Sequence, residues 1–302
     1  MDLIEQVNDF LWGFPLLLLL MGTHIYFTVK LRFPQRNLWQ AIKLSLGRTD
    51  ESGHNLSPFS ALSTTLAATL GTGNIIGVST AVALGGPGAV FWCWITGILG
   101  MATSYGECYL SILYRDCRPD GTYVGGPMYV LKNGLHKYKT GLFYALCTLT
   151  AAFGVGCTTQ ANSVSQAAAG TFHLSPHLVG ISLALLTGAV ILGGVKSIGS
   201  LCERTVPAIS FFYLFGCLLL LILYRRQLPA AVLWIIKDAF SFAGIAGGAA
   251  GAAVQRALRY GIARGLFTNE AGIGTSAIAA AASHTKDPHI QAYVSMTAVF
   301  WD

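Results

Sequence analysis

Two short stretches bring glycines and polar side chains together inside apolar sequence. The first is Gly71-Thr72-Gly73-Asn74, in AATLGTGNIIGVSTA; the second is Asn269-Glu270 with Gly272 and Gly274, in GLFTNEAGIGTS. Glycine weakens a helix and lets a ligand approach the backbone closely. Where a helix unwinds in mid-membrane, the N–H groups freed at the start of the following half can hold a carboxylate. Carbonyls freed at the end of the preceding half can coordinate a small cation, and the Asn74 oxygen adds a hard ligand. Such groups suit reversible binding of a carboxylate and a small cation. For Gly71, Gly73 and Gly77 the competing reading is a small-residue helix-packing face, which the adjoining Asn74 and the second polar stretch argue against. An intramembrane carboxylate such as Glu270 is a functional candidate by default. Its options are ligand contact, an ion pair with Arg264, or holding the unwound segment.

The elements that must position these groups follow from composition. Of 302 residues 53% are hydrophobic and only 11% charged, against roughly 25% charged in soluble domains, so the chain is a membrane protein. Apolar runs fall near residues 10–29, 60–84, 88–114, 141–169, 178–195, 206–224 and 245–283, and a last one opens near 289. They are too long and uniform for barrel strands, which predicts an all-α polytopic membrane domain. The first run follows the acidic leader MDLIEQVND and lacks a basic n-region, so it reads as a retained span. The net charge of +6 lies between the runs and does not indicate nucleic acid. The seven cysteines show no metal spacing and read as free thiols.

Thirteen Lys and Arg fall on one side: five in 30–58, five in 115–140, and Lys196, Arg204 and Lys286. The other six lie between Arg225 and Arg264, around the amphipathic AVLWIIKDAF, which suggests an interfacial helix. The N-terminus is therefore expected outside and the basic loops in the cytoplasm. Four unbroken spans separate the two polar breaks, so the second broken span runs opposite to the first, the pattern of an inverted-repeat secondary transporter. Glu107 is expected to form a structural ion pair near Arg115. Gln160 and Asn162 need a buried partner or contact substrate. The Gly71, Gly73, Gly77 spacing also invites a dinucleotide-binding reading, but that motif needs a preceding strand. No catalytic arrangement supports an enzyme.

At these residues the chain resembles the alanine/glycine:cation symporter family. The resemblance is carried by GTGNIIGVSTAVALGGPGAVFWCWITGILGMATSYGE, GTYVGGPMYVL, QANS and RGLFTNEAGIGTSAIAAAA. It implies a leucine-transporter-like fold: an extra N-terminal helix over 10–29, a first inverted five-helix repeat over 60–224, and the start of a second over 245–302. It implies that amides around Thr72 and Gly73 bind the amino acid carboxylate, and that Asn74 joins sodium sites with carbonyls near Thr69 and Leu70. Gln160 would face the substrate, and Phe267, Thr268, Asn269, Glu270 and Gly272 would close over it. Cys93, Cys157 and Ile278 stand where the family usually has Met, Asn and Pro.

The function expected is sodium-coupled symport of alanine or glycine by alternating access, with Na⁺, or H⁺, as coupling ion and no other cofactor. The partners are the amino acid, the ion and the lipid bilayer of the cell (inner) membrane, with no nucleic acid or protein partner. A membrane receptor that binds the amino acid without moving it is the alternative. The run opening at 289 stops short of a full crossing, so the chain is expected to be a fragment that does not transport alone.

Overall fold

The computed structural model describes residues 2–46, 57–240, 249–285 and 287–302. Arg48, Lys286 and the opening of the run at 245 lie outside the described residues. The described chain is almost entirely helical. It opens with α1 (Asp2–Leu11) and α2 (Phe14–Lys30), a 3-10 turn at Pro34–Asn37, and α3 (Leu38–Ser45). The first broken segment follows: α4 (Pro58–Thr69), a π-helical turn at Gly73–Gly77, and α5 (Val78–Gly85). After α6 (Gly88–Leu113), a small antiparallel hairpin pairs β1 (Asp116–Cys117) with β2 (Tyr123–Val124), and α7 (Pro127–Tyr129) leads to α8 (Tyr138–Ala151). A π-helical stretch, Ala152–Thr159, joins α8 to α9 (Gln160–Phe172), and α10 (Pro176–Ile191), α11 (Gly194–Leu223) and α12 (Leu228–Ala239) follow. The second broken segment is α13 (Ala249–Asn269) and α14 (Thr275–Ala281), before α15 (Pro288–Trp301).

Tyr138–Phe172 and Gly194–Leu223 are long and apolar enough to cross a membrane alone. Two bent pairs qualify if each is one span: Pro15–Lys30 with Pro34–Ser45, bent by 64°, and Pro58–Thr69 with Gly73–Gly85, bent by 44°. The eight apolar runs all contain helix, but with different punctuation. Residues 30–46, expected as loop, are largely helical, because Pro34 ends one direction and opens the next. The run at 141–169, expected unbroken, carries the π-helical stretch just before Gln160. The stretch AVLWIIKDAF belongs to α12.

The core is built around α6, which packs against α2, α12, α13, α14 and α15. Met101, Tyr105 and Cys108 of α6 are buried with Ala271, Ala277 and Ala280 from the second broken segment and Met296 from α15. Close approach of α13 to α6 requires small residues. Ala257 is fully buried, and a Cβ on Gly261 would lie 2.4 Å from the Ala89 carbonyl oxygen. A Cβ on Gly265 would lie 2.0 Å from Thr96 Oγ1. The small-residue packing face thus lies at Ala257, Gly261 and Gly265, four residues apart on one side of α13.

Candidate functional site where two broken helices meet

The first break opens after Thr69. The Gly71 N–H, which would continue the helix onto Ala67, turns to Asn74 Oδ1 at 3.2 Å, so the chain unwinds over Leu70 and Gly71 before resuming as a π turn. Four N–H groups at the start of any helix lack intrahelical acceptors, and here they belong to the segment beginning at Thr72 and Gly73. The Thr69 hydroxyl is 4% exposed and has no hydrogen-bond partner among the described residues. Asn74 Nδ2 donates to Asp302 Oδ1 at 2.9 Å and to its main-chain oxygen at 3.1 Å.

Gln160 meets this break from the α8–α9 helix. The Thr72 hydroxyl donates to Gln160 Oε1 at 2.8 Å, and a Cβ on Gly71 would lie 3.4 Å from the same oxygen. Asn162 is exposed on the next turn, its side-chain oxygen accepting from Gln166 at 3.3 Å. The expectation that Asn162 needs a buried partner is therefore corrected, because this face of α9 is open.

The second break spans Glu270 to Gly274. Glu270, Gly272 and Gly274 have φ of 52°, 90° and 87°, a left-handed geometry that only glycine adopts without strain. Side chains from the break and from neighbouring helices hold the turn. Asn269 Oδ1 accepts from Ala271 N at 3.0 Å, and the Thr275 hydroxyl donates to Glu270 Oε2. Glu107 Oε2 accepts from Gly272 N at 3.2 Å, and the Tyr144 hydroxyl donates to the Ile273 carbonyl at 2.5 Å. His24 is fully buried beside them, its Nδ1 2.8 Å from Thr103 Oγ1.

Two expected pairings are corrected here. Glu107 does not pair with Arg115: the carboxylate, on α6, turns to the break, while the guanidinium, two residues past the end of α6, reaches carbonyls at and just beyond the end of α14. Nor does Arg264 pair with Glu270, since its guanidinium carbon lies 5.8 Å from the centroid of the Phe267 ring. The only salt bridge among the described residues is Lys132–Asp116, at 3.0 Å. Glu107 and His24 were legible as lone ionisable residues in apolar runs, although their contacts were not. Nothing in the sequence marks Tyr144.

The first break packs against the last turn of α13, just ahead of the second break. A Cβ on Gly73 would sit 3.5 Å from Thr268 Oγ1, and one on Gly77 3.9 Å from it. These are ordinary contacts with space to spare, unlike those at Gly261 and Gly265, so helix packing does not require glycine at 73 or 77. Beside the junction lies a cavity of about 490 Å³, lined by Asn74, Thr268 and Asn269 from the two broken segments and by Cys93, Gly97 and Met101 from α6, among others. Its size falls within the range of small-molecule sites. Phe267 and Glu270 flank the junction without lining it.

The model of the sodium:alanine symporter family matches residues 1–302. An uncharacterized transporter of Haemophilus influenzae is 43% identical over 304 residues, covering 100% of this chain and 66% of the relative. The sodium/alanine symporter AgcS of Methanococcus maripaludis is 45% identical over 309 residues, 100% of this chain and 67% of the relative. The probable sodium/glutamine symporter GlnT of Bacillus subtilis is 38% identical, over 99% of this chain and 62% of the relative. The chain thus spans about two thirds of the length of these relatives. An apolar helical bundle with two broken helices packed together, matched by the family model from end to end, belongs to the sodium:alanine symporter family.

Proposed function

We propose that this chain carries the first-break and second-break halves of a binding site for a small neutral amino acid and Na⁺, in a symporter that works by alternating access. The observation that carries the reading is the meeting of the first break with the end of α13 beside the second: Gly73 faces Thr268, and Asn74, Thr268 and Asn269 line one cavity. The N–H groups of Thr72 and Gly73 hold the carboxylate. Gln160, fixed by the Thr72 hydroxyl, faces the amino acid from α9, and Phe267 to Gly272 close over it. Asn74 Oδ1, the carbonyls of Thr69 and Leu70, and the unpartnered Thr69 hydroxyl supply hard oxygens for the cation. Glu270 acts through Thr275, shaping the break.

The architecture fits a leucine-transporter-like inverted repeat, with α2 as the extra helix, α4 to α11 as the first repeat and α13 to α15 opening the second. The N-terminus lies outside, and the basic loops face the cytoplasm of the cell (inner) membrane. Sodium and substrate bound at adjoining sites favour each other's binding, and this couples their movement. The name of AgcS supports alanine.

Binding of radiolabelled alanine to the membrane-inserted chain, with Na⁺ or with choline in its place, tests the site. Sodium-dependent binding is expected, and binding indifferent to the cation overturns the reading. Uptake by proteoliposomes under a sodium gradient separates symport from a receptor: sodium-driven accumulation of alanine rules out the receptor.

A further inference from the structure

At the basic-loop end of α6, one guanidinium holds the far end of the second broken segment. Arg115 Nη1 donates to the carbonyls of Ala281 at 3.0 Å and Ser283 at 2.5 Å, and Nη2 donates to that of Thr285 at 2.8 Å. The guanidinium carbon lies 3.7 Å from the centroid of Tyr123. These are the carbonyls at and just beyond the C-terminus of α14, where the helix dipole favours a cation. Arg115 forms no salt bridge among the described residues, so it is held by neutral oxygens and a ring face alone.

The rest of this interface is equally close. The Ser111 hydroxyl donates to the Ala277 carbonyl at 2.7 Å. A Cβ on Gly125 would lie 2.6 Å from Ala281 Cβ, and one on Gly126 2.7 Å from Ile278 Cγ1, so the residues after β2 close directly onto α14. At its front end α14 hangs from the break, with three consecutive alternate residues at positive φ. Beyond the last turn of this seven-residue helix the Arg115 guanidinium supplies the three charge-assisted bonds that tie its far end to α6.

We infer that Arg115 is a positioning residue that latches α14 against α6 and the hairpin, and that release of its three carbonyl bonds swings α14 away and opens the site toward the basic-loop side. This rests on the transport reading and gives it a gate. Bonds to neutral carbonyls suit a latch, because water can replace them as the interface parts, whereas a buried ion pair would leave an uncompensated charge.

A native cysteine reports on the gate. Cys108 lies about two helical turns before Arg115, is fully buried, and has its Sγ 4.0 Å from Ser276 Oγ of α14. All seven cysteines are free thiols, so chains keeping only Cys108, or only Cys217, can be made by replacing the others with serine. Cys217 is half-buried on α11, does not line the cavity, and serves as the control. The rate of modification by a water-soluble methanethiosulfonate is measured on the membrane-inserted chain without sodium or alanine, so the outcome is separate from that of the binding experiment. Arg115→Gln should accelerate modification of Cys108 by at least about tenfold, or about 1.4 kcal/mol, and leave Cys217 unchanged. Arg115→Lys, which keeps the cation but not the fork of donors, should fall between. Tyr123→Leu, which removes only the ring, should give a smaller rise and serves where Arg115→Gln fails to insert. An unchanged Cys108 rate in these variants, or an equal rise at Cys217, overturns the latch.

Discussion

Asn74 serves the first break twice: its oxygen takes the Gly71 N–H and its nitrogen donates to Asp302. Asn74→Leu keeps the volume and removes the oxygen, so sodium dependence of alanine binding should be lost; full retention assigns Asn74 to packing. Two glycines should behave in opposite ways on replacement by alanine. At Gly261 the new methyl meets the Ala89 carbonyl at 2.4 Å, so Gly261→Ala should lower stability by about 1 to 3 kcal/mol, the usual cost of overpacking, seen as a lower thermal midpoint in detergent. At Gly73 the methyl fits beside Thr268, 3.5 Å from its hydroxyl. Gly73→Ala should therefore keep the thermal midpoint, and a drop as large as that of Gly261→Ala would show that packing requires glycine at 73 as well.

Among elements, the second break depends on helices remote in sequence. Glu107 of α6 accepts the Gly272 N–H. Glu107→Gln keeps a side-chain carbonyl oxygen for that bond and should bind alanine nearly as the parent does. Glu107→Leu leaves the N–H unpaired in a low-dielectric setting, at a cost of about 1 to 3 kcal/mol, and should weaken binding and stability together; equal affinity in all three proteins removes Glu107 from the support of the break. At the other end of α14, burial and then the Arg115 charge push the His284 imidazole below the ordinary histidine range. The unfolded chain takes up that proton at a higher pH than the folded one, so this contribution to stability is present above the ordinary histidine pKa and is lost as pH falls through it and below. His284→Gln should therefore lose less thermal stability between pH 7 and about pH 5 than the parent, a difference that scanning fluorimetry resolves.

The whole molecule combines a packed half, centred on α6, α13 and α15, with helices α8 to α11 whose large apolar side chains are widely exposed. Exposed leucine and phenylalanine along α11 suit lipid tails, and Lys30, Arg32, Arg36 and Lys43 lie on and between the bent α2–α3 pair. The proposed orientation rests on the excess of basic residues in that segment and in 115–140. Cys117 of the hairpin is exposed, so in a chain keeping only this cysteine an impermeant reagent should label it from the cytoplasmic face and not from outside. Labelling from outside reverses the orientation and, with it, the direction in which the α14 latch opens.

The sequence by itself determined the membrane class, the helical elements and the two places where helix gives way to glycine and polar side chains. Each is a local consequence of composition: apolar runs must be helical in lipid, and Gly272 and Gly274 permit backbone that other residues resist. It also identified Glu107, Gln160 and Glu270 as residues in need of a partner. The choice of partner was left to the tertiary structure, because a side chain in a bundle pairs with whatever the neighbouring helix brings near, whatever the separation in sequence. Hence Glu107 meets Gly272 instead of Arg115, and Arg115 meets the end of α14. The π-helical stretch before Gln160 likewise escaped the sequence, since Ala152–Thr159 is as apolar as the helix around it. Only packing showed that the small-residue face belongs to α13 and that the glycines at the first break have room beside them.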